Sequence, residues 1–314
     1  MKTSRWAAPV VPVKKANGTL RLCGSYDQTV NKASQLEKYP LPRVDELFAA
    51  MTGGKMFTKI DLREAYFQLE LDDASKEVLT INTHKGLFRP NRLAFGVKSA
   101  VSIFQREMET LLSGIPNVAV FLDDIAVTGP NPVAHRENVR EVLRRLNSAG
   151  LRVNEEKSVW LAAEVKYLGF SISAAGVRTT AEKTAAVQEA PEPRNLSELK
   201  AYMGLLQYYG RFLPGLATVA APLYALERKG TVWAWGATER AAFLKTKQLL
   251  VSAPVLTHYD PVKPLILTTD ASSYGLGAVL SHPSGEHGDQ PIAYASRTLN
   301  EAERNYSQLD KEAL

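Results

Sequence analysis

Short strands and amphipathic helices alternate in the first half of the chain. Apolar runs of strand length cover residues 56–60, 118–122 and 125–129, and such runs predict buried β-strands. Apolar residues at helical spacing predict helices over residues 99–112 and 135–149. A short helix over 44–51, a turn over 61–67 and a further strand over 68–71 complete this half. We find no internal repeat along the chain.

The second half of the chain changes pattern twice. A domain boundary is predicted near residues 190–193, a segment that contains two prolines. Asn195 followed by Glu198 resembles a capping box and opens a helix, and residues up to about 254 are predicted to be mainly helical. Strands are predicted again over 265–270, 275–281 and 291–296, and one helix is predicted from about 299 to 314.

A basic hairpin is predicted near the N-terminus. Apolar runs flank Asn17-Gly18, a pair suited to the positive φ angles of a tight hairpin turn. Lys14, Lys15 and Arg21 would lie near its tip, and no acidic residue occurs among residues 1–26. Taken alone, these lysines are typical of a solvated sheet edge protected against aggregation.

Composition narrows the functional classes only slightly. The 314 residues are 45% hydrophobic and 23% charged, with a net charge of +5, values that are ordinary for a globular protein. No apolar run approaches the roughly 18 residues of a membrane span, so no membrane partner is expected. The single cysteine, Cys23, excludes a disulfide within one chain.

Two adjacent aspartates stand between two predicted buried strands. Asp123 and Asp124 would lie at a hairpin tip, where close carboxylates repel each other unless a cation neutralises them. Oxygen ligands favour Mg²⁺, and Asp61, at the end of another predicted strand, could add a third carboxylate for a two-metal site. The alternative is an ordinary Asp-Asp turn.

Several motifs occur in the order found in reverse transcriptases of Gypsy-type LTR retrotransposons. Residues 121–124 (FLDD) resemble the aromatic-x-Asp-Asp box of that family, and residues 59–68 (KIDLREAYFQ) resemble its first catalytic motif. Residues 89–105, the YLG turn at 167–169, the helical stretch 199–223 and the TDAS segment at 269–272 are similar to later family motifs. The resemblance covers nearly the whole chain.

The resemblance implies a role for each matching residue. Asp61, Asp123 and Asp124 would hold two Mg²⁺ ions, with Mn²⁺ as a substitute, although Asp124 could position rather than bridge the ions. Other residues would contact the incoming dNTP. Lys14 or Lys15 and Arg21 would hold its triphosphate, and Tyr66 would lie under its sugar and exclude ribonucleotides. Phe95 and Gly96 would line the nucleotide pocket. Phe95 could equally be a core residue.

The resemblance also implies an α+β palm-and-fingers polymerase fold. Fingers and palm would cover residues 1–175, a mainly helical thumb and connector 176–260, and the N-terminal part of an RNase H-like α/β domain 261–314. That last part is expected to be truncated, retaining only Asp270 and Glu312 of its usual acidic ligands. RNase H activity is therefore expected to be negligible.

The implied function is RNA-directed DNA polymerisation on a primed RNA or DNA template with dNTPs. One alternative is a retroelement-derived fragment that binds primer–template without extending it. A second, less favoured alternative is a metal-dependent phosphohydrolase, which would leave Tyr66 and the basic hairpin without a purpose. A homodimer or polyprotein neighbours are left open as further partners, and the expected location is the cytoplasm, in virus-like particles.

Overall fold

A computed structural model of the chain describes residues 3–15, 18–34, 39–284 and 288–314. The chain folds as two units, Met1–Ala163 and Glu164–Leu314, which are described separately below. Asn17, predicted at the hairpin turn, lies outside the described residues. The three-part division predicted from the sequence, at 175 and 260, stays a prediction.

The first unit contains eight strands, five α-helices and one 3₁₀ turn within the ranges that the structure describes. Its strands are β1 Ala8–Lys14, β2 Leu20–Gly24, β3 Met56–Asp61, β4 Ile81–Thr83, β5 Gly86–Phe88, β6 Val118–Phe121, β7 Asp124–Gly129 and β8 Val159–Ala162. Its helices are α1 Val30–Ala33, α2 Val44–Ala50, α3 Asp73–Val78, α4 Ala100–Leu112 and α5 Pro132–Ser148, and the 3₁₀ turn is Ala65–Gln68.

Four antiparallel strands form the sheet that we call the palm sheet, in the order β6-β7-β3-β8. Ile60 and Ile125 lie opposite each other on β3 and β7 and join a buried cluster with Phe104 of α4 and Val142 of α5. Side chains alternate between the two faces of a strand. Asp61 and the other odd-numbered residues of β3 therefore lie on the face turned away from these helices.

A second sheet, the fingers sheet, has the order β2-β1-β4-β5. The predicted basic hairpin is its β1–β2 pair, in which Val13 is paired with Arg21. Tyr26 is buried beside this sheet and donates a hydrogen bond of 3.0 Å to the carbonyl of Leu79. Burial raises the pKa of Tyr26 to about 12, so this phenol stays a hydrogen-bond donor throughout the neutral range.

The second unit contains six strands, seven α-helices and one 3₁₀ turn among its described residues. Its strands are β9 Glu164–Tyr167, β10 Phe170–Ser173, β11 Gly176–Thr179, β12 Ile266–Ala271, β13 Gly275–His282 and β14 Gln290–Thr298. Its helices are α6 Ala181–Glu189, α7 Leu196–Tyr208, α8 Leu216–Val219, α9 Ala221–Leu226, α10 Ala237–Val251, α11 Glu301–Arg304 and α12 Gln308–Glu312, and the 3₁₀ turn is Gly210–Phe212. Two three-stranded sheets have the orders β11-β10-β9 and β12-β13-β14.

Most predicted elements are present, and three differ. Residues 68–71 make one isolated bridge, from Glu70 to Arg92, instead of a strand. The helix predicted from 299 to 314 is broken into α11 and α12, because Ser307 caps a new helix by accepting a hydrogen bond from the amide of Asp310. Asp124 is the first residue of β7 rather than part of the turn. No helix within the described ranges is long and apolar enough to span a bilayer.

One buried amide fixes the turn between β6 and β7. Leu122 has φ +54°, a left-handed conformation that is costly for a residue with a side chain. Gln105 of α4 is fully buried and accepts a hydrogen bond of 2.7 Å from the amide of Leu122. Its own amide donates to the carbonyl of Val120 at 2.9 Å and to Glu109 at 2.7 Å. A single side chain thus connects the end of β6 and the turn that follows it to the helix layer.

Removing this amide should destabilise the first unit. Gln105→Ala leaves the amide of Leu122 and the carbonyl of Val120 buried without that partner, so we expect a loss of about 2–3 kcal/mol in the free energy of unfolding. Urea denaturation measures it. Gln68→Ala is the matched control, since Gln68 also makes three hydrogen bonds, all of them to backbone groups but in exposed positions. Equal losses for both variants would contradict the structural role of Gln105.

Gly96 makes a close backbone contact with β2. Its φ is +100°, and a Cβ atom placed there would lie 2.0 Å from the carbonyl oxygen of Gly24. Gly96→Ala should therefore cost roughly 3 kcal/mol or more in unfolding free energy, since clash adds to strain. Gly114→Ala, at φ +79° with nothing within 4 Å, should cost only about 1–2 kcal/mol. The two urea midpoints test this difference, and a smaller loss for Gly96→Ala would contradict the contact.

Candidate active site

A cavity of about 870 Å³ in the first unit brings together residues from five separate segments. We call it the acidic pocket. Most of the residues predicted to act on a nucleotide line it, together with others that the sequence did not indicate. Its lining consists of Lys15, Arg21, Asp61, Leu62, Arg63, Glu64, Ala65, Tyr66, Phe95, Leu122, Asp123, Val153, Asn154, Glu155, Glu156 and Lys157.

The palm sheet places the three predicted aspartates at one end. Asp61 is the last residue of β3 and lies directly opposite Asp124, the first residue of β7. Asp123 lies in the turn just before Asp124, and Gln105 binds the amide of Leu122 in the same turn. The backbone of Asp61 is fixed as well: its amide donates to the hydroxyl of Ser158 at 3.1 Å, and its carbonyl accepts from the amide of Asn154 at 2.8 Å.

The three carboxylates do not have equivalent surroundings. Asp61 and Asp123 line the acidic pocket, whereas Asp124 is not part of its lining. The carboxylate of Asp124 lies 2.9 Å from the ammonium of Lys59. Among the described residues, no three acidic, histidine or cysteine side chains are arranged to hold one metal ion. Two of the predicted ligands therefore share the pocket, and the third is engaged in an ion pair.

Electrostatics around Asp61 favour a cation. Burial is the largest effect and raises the pKa of Asp61, while the carboxylates of Asp123 and Asp124 raise it further. The ammonium groups of Lys157 and Lys59 oppose this rise. A carboxylate under such repulsion gains from a bound divalent cation, and carboxylate oxygens are suitable donors for Mg²⁺. The pocket residues thus fit a divalent metal ion through Asp61 and Asp123.

Cationic side chains of the fingers hairpin form another wall of the pocket. Arg21 stacks on Phe95, with its guanidinium carbon 4.3 Å from the ring centre. Lys15 forms an ion pair of 3.0 Å with Glu64. Lys14, the alternative to Lys15 in the sequence prediction, is exposed and does not line the pocket. This wall can contact anionic oxygen atoms at the same time as the carboxylates contact a cation.

Aromatic rings form the floor of the pocket. Tyr66 packs edge to face against Phe95 at 5.0 Å and Phe104 at 5.4 Å. Phe95 also contacts Phe67 at 5.2 Å. Gly96 lies beside this floor, outside the pocket lining. The ring of Tyr66 is therefore held in one orientation, as a rigid surface for a flat or apolar part of a ligand.

Sequence reasoning missed several residues in or beside the pocket. Lys59 lies beside the pocket and carried a usable signal, because it stands two positions before Asp61 in a predicted strand and must share its face. Glu64 lies in the predicted turn, with a φ of +50° that no pattern indicates. Residues 154–157 had no periodic pattern. Backbone contacts of this segment with residues 61–63 bring them to the pocket.

The second unit holds the other predicted site residues. Asp270 and Glu312 line one cavity of about 300 Å³, beside β12 and α12. Three aromatic side chains near α7 are buried, Tyr202, Tyr209 and Phe212, whereas Tyr208 is half exposed. Its hydroxyl donates to the carbonyl of Leu168 at 2.8 Å.

Comparison with known proteins identifies two families along the chain. Residues 13–172 match the family described as reverse transcriptase (RNA-dependent DNA polymerase). Residues 235–314 match the RNase H-like domain found in reverse transcriptase. The Tf2-3 and Tf2-7 transposon polyproteins of Schizosaccharomyces pombe are 34% and 33% identical to this chain over 310 residues, 98% of its length. The chain spans 23% of the length of these relatives.

Solved structures give the same result for the fold. A foamy viral protease-reverse transcriptase in complex with double-stranded DNA aligns with 99% of this chain and 55% of its own, at a TM-score of 0.91 and 26% identity. A foamy viral protease-reverse transcriptase in complex with RNA/DNA hybrid aligns with 99% and 42%, at a TM-score of 0.83 and 26% identity. The α+β reverse transcriptase fold and the resemblance to Gypsy-type retrotransposons are thereby confirmed. The chain belongs to the reverse transcriptase (RNA-dependent DNA polymerase) family.

Proposed function

We propose that this chain is an RNA-directed DNA polymerase that transfers nucleotides from dNTPs to a primer 3′-hydroxyl on an RNA or DNA template. The observation that carries the proposal is the acidic pocket, whose lining combines the carboxylates of Asp61 and Asp123 with the cations Lys15 and Arg21 and the aromatic rings of Tyr66 and Phe95. A dNTP with its metal ions combines the chemistry these walls require: cations for the carboxylates, phosphate oxygens for Lys15 and Arg21, and a sugar for the ring of Tyr66.

The chain's own residues act mainly by positioning. Arg21 can offer its guanidinium to two phosphate oxygens, and its stacking on Phe95 limits the rotamer entropy lost on binding. Lys15 must exchange Glu64 for the triphosphate. This exchange is inexpensive, because the ion pair is partly exposed to solvent. Tyr66, fixed between Phe95 and Phe104, would exclude a 2′-hydroxyl from the sugar position.

Asp61 and Asp123 would hold the divalent ions, for which we propose two Mg²⁺, replaceable by Mn²⁺. When bound, these ions activate the attacking hydroxyl and stabilise the leaving oxygen. The protein's contribution is to hold both carboxylates in place before substrate arrives. Ser158 and Asn154 form hydrogen bonds with the backbone of Asp61, and Gln105 forms hydrogen bonds with the turn that carries Asp123. Such preorganisation reduces the reorganisation needed in the transition state.

A primed RNA or DNA template is the proposed macromolecular partner. The related foamy viral proteins are solved with double-stranded DNA and with RNA/DNA hybrid, which supports binding of either duplex here. We propose that RNase H activity is negligible. Asp270 and Glu312 are the acidic residues that line the second-unit cavity, and they are fewer than the usual acidic ligands of an RNase H site. A homodimer, polyprotein neighbours and a cytoplasmic location in virus-like particles stay predictions.

Primer extension tests the proposed activity. We expect the chain to extend a DNA primer on an RNA template with Mg²⁺ and dNTPs. Asp123→Asn should lower the rate about a thousandfold or more, since metal ligation contributes several kcal/mol to the transition state. Asp73→Asn, on the exposed surface of α3, is the control and should retain the wild-type rate.

The same assay separates the alternative function. If the wild-type chain binds the hybrid but neither it nor the variants extend the primer, the chain is a binding fragment without polymerase activity. Nucleotide hydrolysis without a primer would instead favour a phosphohydrolase.

Tyr66→Ala tests the sugar gate. We expect incorporation of rNTPs relative to dNTPs to rise by at least about tenfold, because an open floor no longer rejects the 2′-hydroxyl. Single-nucleotide incorporation with matched rNTP and dNTP measures the ratio. Phe67→Ala is the matched control, since Phe67 also packs on Phe95 but does not line the pocket. An unchanged ratio in Tyr66→Ala, or an equal rise in Phe67→Ala, would contradict the gate.

A further inference from the structure

The hydrogen bonds of Gln105 extend beyond the turn between β6 and β7. Its amide nitrogen donates to one carboxylate oxygen of Glu109 at 2.7 Å, one helical turn further along α4. The hydroxyl of Tyr39 donates to the other carboxylate oxygen. Glu109 thus accepts from two neutral donors at once, and three segments of the first unit are joined: the segment before α2, helix α4, and the turn that carries Asp123.

The carboxylate of Glu109 determines which end of the Gln105 amide faces the turn. A carboxylate can only accept hydrogen bonds, so the amide nitrogen must lie on the side of Glu109. The amide oxygen is then directed to the backbone N–H of Leu122 at 2.7 Å, and the second amide N–H to the carbonyl of Val120 at 2.9 Å. A reversed amide would place its oxygen against the carboxylate and the carbonyl and would leave Leu122 facing another donor.

Tyr39 holds the carboxylate itself in place. A hydrogen bond from a phenol to an anionic acceptor is stronger than one between neutral groups, and it restricts the rotamers of the partly buried Glu109. The same hydrogen bond raises the pKa of Tyr39, so the hydroxyl keeps its proton throughout the neutral range. Neither Tyr39 nor Glu109 lines the acidic pocket. The orientation of Gln105 is therefore set by groups outside the pocket.

We propose that Glu109 is a positioning residue of the polymerase: held by Tyr39, it orients the Gln105 amide and thereby fixes the turn that presents Asp123 to the pocket. The proposal rests on the proposed polymerase function, to which it adds a role for two side chains that contact neither nucleotide nor metal. The role is geometric. What the turn needs is an acceptor facing Gln105, and the negative charge of Glu109 is not itself required.

Single-turnover primer extension, with enzyme in excess over primed template, tests this role. The rate constant then reports the folded, bound enzyme, whereas a chain that fails to fold lowers only the amplitude. Glu109→Ala should lower the rate constant at saturating dNTP about tenfold, since a displaced carboxylate slows the chemical step. The half-saturating dNTP concentration should stay within about twofold of wild type, because ground-state contacts to the nucleotide are kept.

Two further variants place this effect on the network. Tyr39→Phe should lower the rate constant about threefold, because Glu109 keeps its bond with Gln105 but loses its own support. Glu107→Ala is the matched control, since Glu107 is an exposed acid on the same helix and pairs with Arg106; its rate constant should equal that of wild type. An unchanged rate constant in Glu109→Ala, or an equal loss in Glu107→Ala, would overturn the proposal.

Glu109→Gln separates geometry from charge. A glutamine at this position can accept from Gln105 through its oxygen and donate to the hydroxyl oxygen of Tyr39, so the rate constant should stay within about threefold of wild type. If Glu109→Gln is as slow as Glu109→Ala, the charge of Glu109 acts on the reaction and the positioning role is wrong.

Amide hydrogen exchange tests the same link without any activity. Glu109→Ala should speed exchange of the Leu122 amide about tenfold, because the turn opens more often, while the amide of Val142 in the buried core keeps its rate. Unchanged exchange at Leu122, or an equal rise at both amides, would contradict the proposal. If wild type does not extend a primer, the proposed function fails, and the exchange result alone decides whether Glu109 holds the turn.

Discussion

Repulsion among three carboxylates at one end of the palm sheet is the constraint on which the rest of the pocket depends. Asp61 and Asp124 are paired across β3 and β7, and Asp123 is the next residue along the chain. Such a group is unfavourable unless cations offset it. The protein supplies Lys59 in direct contact and Lys157 at longer range, and the remaining charge is what makes the site suitable for divalent ions.

Hydrogen bonds to the backbone hold the two segments that carry Asp61 and Asp123. Gln105 holds the turn that carries Asp123, although Leu122 must adopt a left-handed conformation there. Ser158 and Asn154 hold the backbone of Asp61 from the other side. These contacts are made within the protein itself and can hold the carboxylates in place, which is the condition for efficient electrostatic stabilisation.

The cationic wall of the pocket comes from the fingers hairpin, and the contacts of its side chains exchange more easily. Arg21 rests on an aromatic ring, and Lys15 is paired with a partly exposed Glu64. Exposed ion pairs contribute little to stability, so the contact of Lys15 can exchange without loss of the fold. One wall of the pocket is thus rigid and anionic. The other wall is cationic, and its Lys15 can exchange Glu64 for another anion, as the proposed binding and release of a triphosphate require.

Local sequence patterns were sufficient for most helices and hairpins and for the aspartates, because period, caps and turn residues act over a few positions. Together with the family motifs, these patterns also indicated that Asp61 shares a site with the pair at 123–124. They failed for the helix predicted over 299–314, where a cap at Ser307 outweighed continuous periodicity.

The sequence by itself determined the strands that carry Asp61 and the acidic pair, and the family of this protein. The tertiary structure alone decided which carboxylates face the pocket, that Lys59 engages Asp124, and that the loop of Lys157 joins the site. The physical reason is distance along the chain. Strand register and buried hydrogen bonds such as those of Gln105 join segments far apart in sequence, and no local pattern encodes which distant partner a side chain will meet.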